Sequence, residues 1–186
     1  MNSYSSEVPQ GIGWAWLCTQ GSFQNKGVDY THTYAPTGFS VSLQVAMVVV
    51  LSKEYKFYQM DAKNPFLNVK MEELVYLQPP PGLKIPQGHC FKLNREIYGL
   101  KQAHHMWYRA LKELFLSIKF IPSKSDPFLF TSQVKDLKCF VHVYVNDMII
   151  ISHDVGFFKS TPPMPSDYNP NYYSSKVKFQ LATFQR

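Results

Sequence analysis

VYVNDMIIIS, residues 143 to 152, places two polar side chains, Asn146 and Asp147, inside a run of apolar and β-branched residues. The flanks CFVHVYV and MIIIS both read as strands, and an Asn-Asp pair between them can take the positive φ values that a tight hairpin turn needs. The same residues are compatible with a second reading, in which an acidic residue at a strand tip holds a metal ion. That reading requires another carboxylate elsewhere in the chain. KFYQMD, residues 56 to 61, supplies one, because it reads as a strand ending at Asp61. If the two strands are neighbours in one sheet, the carboxylates of Asp61 and Asp147 meet at the same edge. Paired carboxylates can hold Mg²⁺, with water and substrate phosphates completing its shell. Metal ions held in this way support phosphoryl and nucleotidyl transfer. The plain alternative is that both aspartates form turns or caps.

The wider composition suits one globular domain with a sizeable core: 186 residues, of which 45% are hydrophobic and 16% aromatic. Lys and Arg outnumber Asp and Glu by 19 to 13, and the resulting charge of +6 suits a polyanionic partner such as nucleic acid. Cys18, Cys90 and Cys139 are odd in number and widely spaced, so neither a disulfide framework nor a zinc site is indicated. The polar start MNSYSSEVPQGIGW lacks the features of a signal peptide, so the expectation is an intracellular protein, cytoplasmic or nuclear, and not secreted. The longest apolar run, VAMVVVL at 45 to 51, falls far short of the roughly 18 residues of a membrane span, so no membrane association is expected.

Along the chain, the first 40 residues read as loop with short strand pieces such as WAWLC. Ser40 or Ser42 can cap a helix running to about Leu51, although the valines there fit a buried strand as well. VYLQ at 75 to 78 and CFKL at 90 to 93 read as strands around the surface loop PPPGLKIPQG. The clearest helix starts at Ala103, with Met106, Trp107, Ala110, Leu111, Leu114, Phe115 and Ile118 forming one apolar stripe. FLFTS at 128 to 132 is a further strand before the hairpin. The layout is α+β, with helix packed against a largely antiparallel sheet. After Gly156 the chain carries four prolines and clusters of Ser, Asn and Tyr, so residues 155–186 are expected to be a divergent, loosely ordered tail behind a domain at 1–154.

Several strings in order resemble the reverse transcriptase domain of copia-type (Pseudoviridae) retrotransposon polyproteins: KGVDYTHTYAP at 26 to 36, YQMDAKNPFLNVKMEELVYLQPPPG at 58 to 82, IYGLKQAHHMWY at 97 to 108, SDPFLF at 125 to 130, and VYVNDMIIIS. The resemblance implies a fingers-palm fold with an antiparallel palm sheet on helices. It implies template-directed polymerisation of DNA on an RNA or DNA primer-template, with deoxynucleoside triphosphates as substrates and Mg²⁺ or Mn²⁺ as cofactor. QMDAKNPFL is similar to the first palm motif and VYVNDMIIIS to the Tyr-x-Asp-Asp hairpin, which implies Asp61, Asn146 and Asp147 at the catalytic positions. YGLKQA resembles the segment beneath template and incoming nucleotide, which implies Lys101 and Gln102, with Tyr144, as nucleotide-binding residues.

The departures from the family pattern fall on charged positions. Asn146 replaces the first of two adjacent aspartates, and an amide cannot supply the charge that binds Mg²⁺, so Asp61 and Asp147 are left as the implied metal ligands. WAWLCTQG aligns with a basic fingers segment of the family and puts Trp14, Trp16 and Gln20 at its basic positions. Gln44 stands where Arg is common, and Pro65 where a small residue usually follows Lys63-Asn64. No thumb or ribonuclease H counterpart is recognised after the hairpin. The expectation is an impaired polymerase, and the alternative is a non-catalytic remnant that binds nucleic acid or serves as an interaction module.

Other candidates carry less. His104-His105 and His89-Cys90 lack chelating geometry, since adjacent helix residues diverge. Lys101 and Arg109 either contact phosphates or form a charged outer helix face. Trp107 lies on the apolar stripe and reads as core, whereas Tyr144 is the better candidate for substrate contact.

Overall fold

The structure, a computed structural model, describes residues 3–4, 17–36, 38–53, 55–62, 64–153 and 182–183. In chain order the elements are β1 (Ser3–Tyr4), β2 (Cys18–Thr19), α1 (Ser40–Lys53), β3 (Lys56–Asp61), β4 (Tyr76–Leu77), β5 (Phe91–Lys92), α2 (Ala103–Ser117), β6 (Phe120–Pro122), β7 (Leu129–Ser132), β8 (Cys139–Tyr144), β9 (Asp147–Ser152) and β10 (Ala182–Thr183). All strand pairings within the sheets are antiparallel. The chain is therefore α+β. It divides into two compact units, Met1–Ala35 with Phe66–Tyr108, and Pro36–Pro65 with Arg109–Arg186.

The second unit is built on a sheet in the order β10-β3-β9-β8-β7-β6. Side chains alternate across it, as the period of two requires. Tyr58, Met60, Val141, Val143, Met148 and Ile150 form one buried face. Phe130 lies in that same layer opposite Val141, and Phe115 of α2 stacks on it with ring centroids 4.5 Å apart. The part of the apolar stripe within the second unit thus packs on the sheet through Phe115. Cys139 is buried within the sheet, and loss of hydration pushes its thiol up to about 12 although Ser152 bonds to it.

α1 is helical, which settles the helix-or-strand ambiguity at VAMVVVL. Its first residue is Ser40 itself, so that serine is inside the first turn and is not the cap. Val41, Val45 and Val48 remain exposed while Ala46 is buried and Leu43, Met47, Val49 and Val50 are half-buried, so part of the helix's apolar surface faces solvent. Its start is anchored by Asp126, whose carboxylate accepts from Phe39 N at 3.1 Å and Phe128 N at 2.9 Å. Gly38 passes so close to β8 that a Cβ there would lie 2.8 Å from the Val143 carbonyl oxygen.

The first unit holds the short pairs β1-β2 and β4-β5. β2 abuts the YGL segment: Thr19 N donates to Tyr98 O at 2.9 Å, and Gly99, at φ +90, faces the Thr19 backbone where no Cβ fits. Glu96 is fully buried, and neither carboxylate oxygen has a hydrogen-bond partner among the described residues. Burial, with Glu73 and then Glu72 adding like charge, pushes its carboxyl up to about 7.

Two sequence expectations lie wholly or partly outside the described residues. Trp14 and Trp16 of WAWLC are not described, and of residues 155–186 only Ala182–Thr183 is, as an edge strand beside β3. β6 was not anticipated; Phe120, its fully buried first residue, lies two residues beyond the apolar stripe that ends at Ile118. Among the described residues no helix is long and apolar enough to cross a membrane.

Candidate functional site

β3 and β9 pair directly, in a register that puts Asp61 opposite Asp147, while β8 and β9 put Tyr144 opposite the same Asp147. Directly opposed residues project from the same face of a sheet. The three side chains therefore form a row across β3, β9 and β8 at one end of the second unit. The next row, Met60, Met148 and Val143, projects from the other face and is buried. The apolar alternation that builds the core thus fixes which face carries the carboxylates. A slip of one residue would bury them.

The turn differs from the sequence expectation in one respect. Its two central residues are Val145 and Asn146, and Asp147 already belongs to β9. Positive φ falls on Val145, at 57°, and on neither Asn146 nor Asp147. The reason is the ladder: Asp147 gains partners on both sides, so the reversal moves one residue toward β8. A β-branched residue in the left-handed region stores strain.

Asn146 clasps the end of β3 twice. Its carbonyl accepts from Ala62 N at 2.8 Å, and its side-chain Nδ2 donates to Asp61 Oδ1 at 2.7 Å. Gln59, diagonal to Asp147 on the same face, reaches Asp147 Oδ1 from Nε2 at 3.5 Å, the outer limit for a hydrogen bond. One oxygen of each carboxylate is thus taken by an amide. The other oxygen of each carries no hydrogen bond among the described residues. That donor set fits a hard divalent cation bound through two carboxylates and water. It is poorer than an all-carboxylate set, because Asn146 presents a donor where a third carboxylate would present an acceptor. Among the described residues no group of three or more His, Cys, Asp or Glu converges.

Tyr144 is 61% exposed on the strand that leads into the turn, and its ring is available for stacking. Lys101 and Gln102 belong to the first unit. Gln102 is fully buried there, its Oε1 accepting from Gln24 Nε2 and its Nε2 donating to the Asp29 carbonyl. Lys101 is exposed and ordered by its neighbours. Trp107 is buried, as its place on the stripe implied. His105 Nδ1 meets the Tyr34 carbonyl, and the His104 ring packs edge-on to Phe66 at 4.9 Å, which accounts for both without a metal. Gln24 and Gln59 carried no signal in the sequence. A lone amide in a loop or on a strand has no spacing partner to mark it.

The antiparallel sheet thus sets a hairpin tip opposite an aspartate on the adjacent strand, with a tyrosine in the same row. The sequence family described as reverse transcriptase (RNA-dependent DNA polymerase) matches residues 10–179, and the chain belongs to it. Within that family it is a copia-type retrotransposon domain, similar to the Retrovirus-related Pol polyproteins from transposons RE1 and RE2 of Arabidopsis thaliana. Each of those is 34% identical over 149 residues, which is 79% of this chain and 10% of the relative. The corresponding polyprotein from transposon TNT 1-94 of Nicotiana tabacum is 30% identical over 145 residues, 76% of this chain and 11% of the relative. The chain spans about a tenth of the length of these curated relatives. No solved structure matches it.

Proposed function

We propose that this chain is a fingers-palm portion of a reverse transcriptase in which the sheet of the second unit is the palm and the metal site is weakened. The ancestral reaction is addition of deoxynucleotides to a primer end directed by an RNA or DNA template. The observation that carries this reading is the Asp61–Asp147 opposition at the hairpin tip in a chain of this family. Asp61 and Asp147 would hold Mg²⁺ or Mn²⁺, which when bound would supply Lewis acidity toward the primer hydroxyl and the triphosphate. Tyr144 offers a face for a base or sugar next to those carboxylates. Asn146 works against the site in two ways: it removes one unit of negative charge, and its amide occupies Asp61. Electrostatic preorganisation is commonly the largest single contribution to catalysis, so the loss bears on turnover more than on fold. The close resemblance ends near Asp154, so 1–154 is taken as the partial domain and 155–186 as a divergent segment, with the family match itself running on to residue 179. An intracellular setting, cytoplasmic or nuclear, goes with this reading.

The test is primer extension on an RNA template with Mg²⁺ and with Mn²⁺, parent beside Asn146→Asp. Extension by the variant above the parent supports a palm scaffold with a weakened metal site. Equal extension by both would show that two carboxylates suffice. Absence of extension in both would remove polymerisation and leave nucleic-acid binding as the activity to assay.

A further inference from the structure

Lys101 in the first unit is held by Gln24 and Tyr30, which lie outside its own YGLKQA segment. Its main-chain N–H donates to Gln24 Oε1 at 2.8 Å, and its Nζ donates to the Gln24 carbonyl oxygen at 3.3 Å. The same Nζ lies 3.5 Å from the Tyr30 hydroxyl and 5.1 Å from the centre of the Tyr30 ring. Gln24 is itself fixed from behind, its Nε2 donating to Gln102 Oε1 at 2.9 Å, and both amides are buried. The loop that carries Tyr30 is closed on itself by Asn25 N to Asp29 Oδ2 at 2.8 Å and Gly27 N to Tyr30 O at 2.8 Å.

Every one of these partners is neutral, and among the described residues no carboxylate pairs with Lys101. An ammonium has three donors, and two are engaged here, so one donor and the full positive charge remain. A lysine stem is long and flexible, and holding it in advance lowers the ordering cost of binding an anion. We propose that Gln24 is a positioning residue that, with Tyr30, presents the Lys101 ammonium to a phosphate group of the nucleic acid or of an incoming nucleotide. The inference rests on the reverse transcriptase reading and adds to it roles for Gln24 and Tyr30, to which the resemblance gave none.

The test measures binding of a labelled RNA–DNA primer-template by fluorescence anisotropy across a salt series. The proteins are the parent, Lys101→Ala, Gln24→Met, the double variant and Tyr30→Phe, each checked by thermal melting. Lys101→Ala is expected to weaken binding several-fold and to lower the salt slope by about one unit, as loss of one phosphate contact does. Gln24→Met is expected to do the same, and the double variant to lose nothing further. Tyr30→Phe, which removes only a hydroxyl, is expected to move affinity in the same direction by less, and it stands in should Gln24→Met fold poorly. A parallel titration with a free deoxynucleoside triphosphate separates the two phosphate sources, since Lys101-dependent affinity there assigns the contact to the nucleotide and its absence assigns it to the strand. An unchanged salt slope in Lys101→Ala, or additive losses in the double variant, would overturn the inference while leaving the family reading intact. A parent that binds neither ligand would overturn both.

Discussion

The Asn146 side chain donates to Asp61 Oδ1 at 2.7 Å, from the turn that also brings Asp147 opposite Asp61. A residue that by resemblance occupies a carboxylate position has thus become the hydrogen-bond donor of its neighbour. This bond is charge-assisted and stabilises the apo hairpin. Without metal, Asn146→Asp is expected to cost about 1–3 kcal/mol, because it replaces that donor with a like charge. Thermal unfolding in chelator, parent against variant, checks the sign; an unchanged or higher melting temperature in the variant would count against the clasp.

Val145 bears the positive φ of the turn, at 57°. Glycine adopts that conformation without a Cβ penalty, so Val145→Gly is expected to stabilise the second unit by about 1 kcal/mol. Urea denaturation measures it, and a loss of stability would show that the valine side chain gains more from its surroundings than the backbone strain costs.

Glu96 gives the fold a pH dependence. Its carboxyl is raised from 4.5 to about 7 by burial and by Glu73 and Glu72, so between those values the native state holds a proton that the unfolded chain has released. Stability therefore falls as pH rises from about 4.5 to about 7 and levels off above that range. Glu96→Gln removes this titration. Its advantage over the parent should be on the order of 2 kcal/mol larger at alkaline than at acid pH, a size set by burying an unpaired charge. Denaturation of both proteins at pH 5 and pH 8 decides it, and a pH-independent difference would contradict the assignment.

The parts of this architecture that were legible in the sequence are those where one pattern dominates. The stripe from Met106 to Phe115 has a single apolar face and folds as the helix it spells, and the alternation in β3, β8 and β9 fixes both strand identity and the shared face of Asp61 and Asp147. α1 was ambiguous because Val41, Val45 and Val48 are apolar yet exposed, so no amphipathic period separates helix from strand. The turn residue was misplaced by one because Asn and Asp favour positive φ locally, whereas the ladder partners of Asp147 override that preference. The burial of Gln102 and its bond from Gln24 could not be read from the YGLKQA motif. Such tertiary pairs leave no local trace in the chain.

The measurement that bears most directly on the account is Mn²⁺ affinity, read by electron paramagnetic resonance for the parent, Asn146→Asp and Asp61→Asn. Hard-cation affinity follows ligand charge, so the expected order is Asn146→Asp tightest, by about tenfold or more over the parent, and Asp61→Asn weakest. Equal affinity in all three would mean that the ion does not bind at the hairpin tip, and the proposed metal site would be wrong.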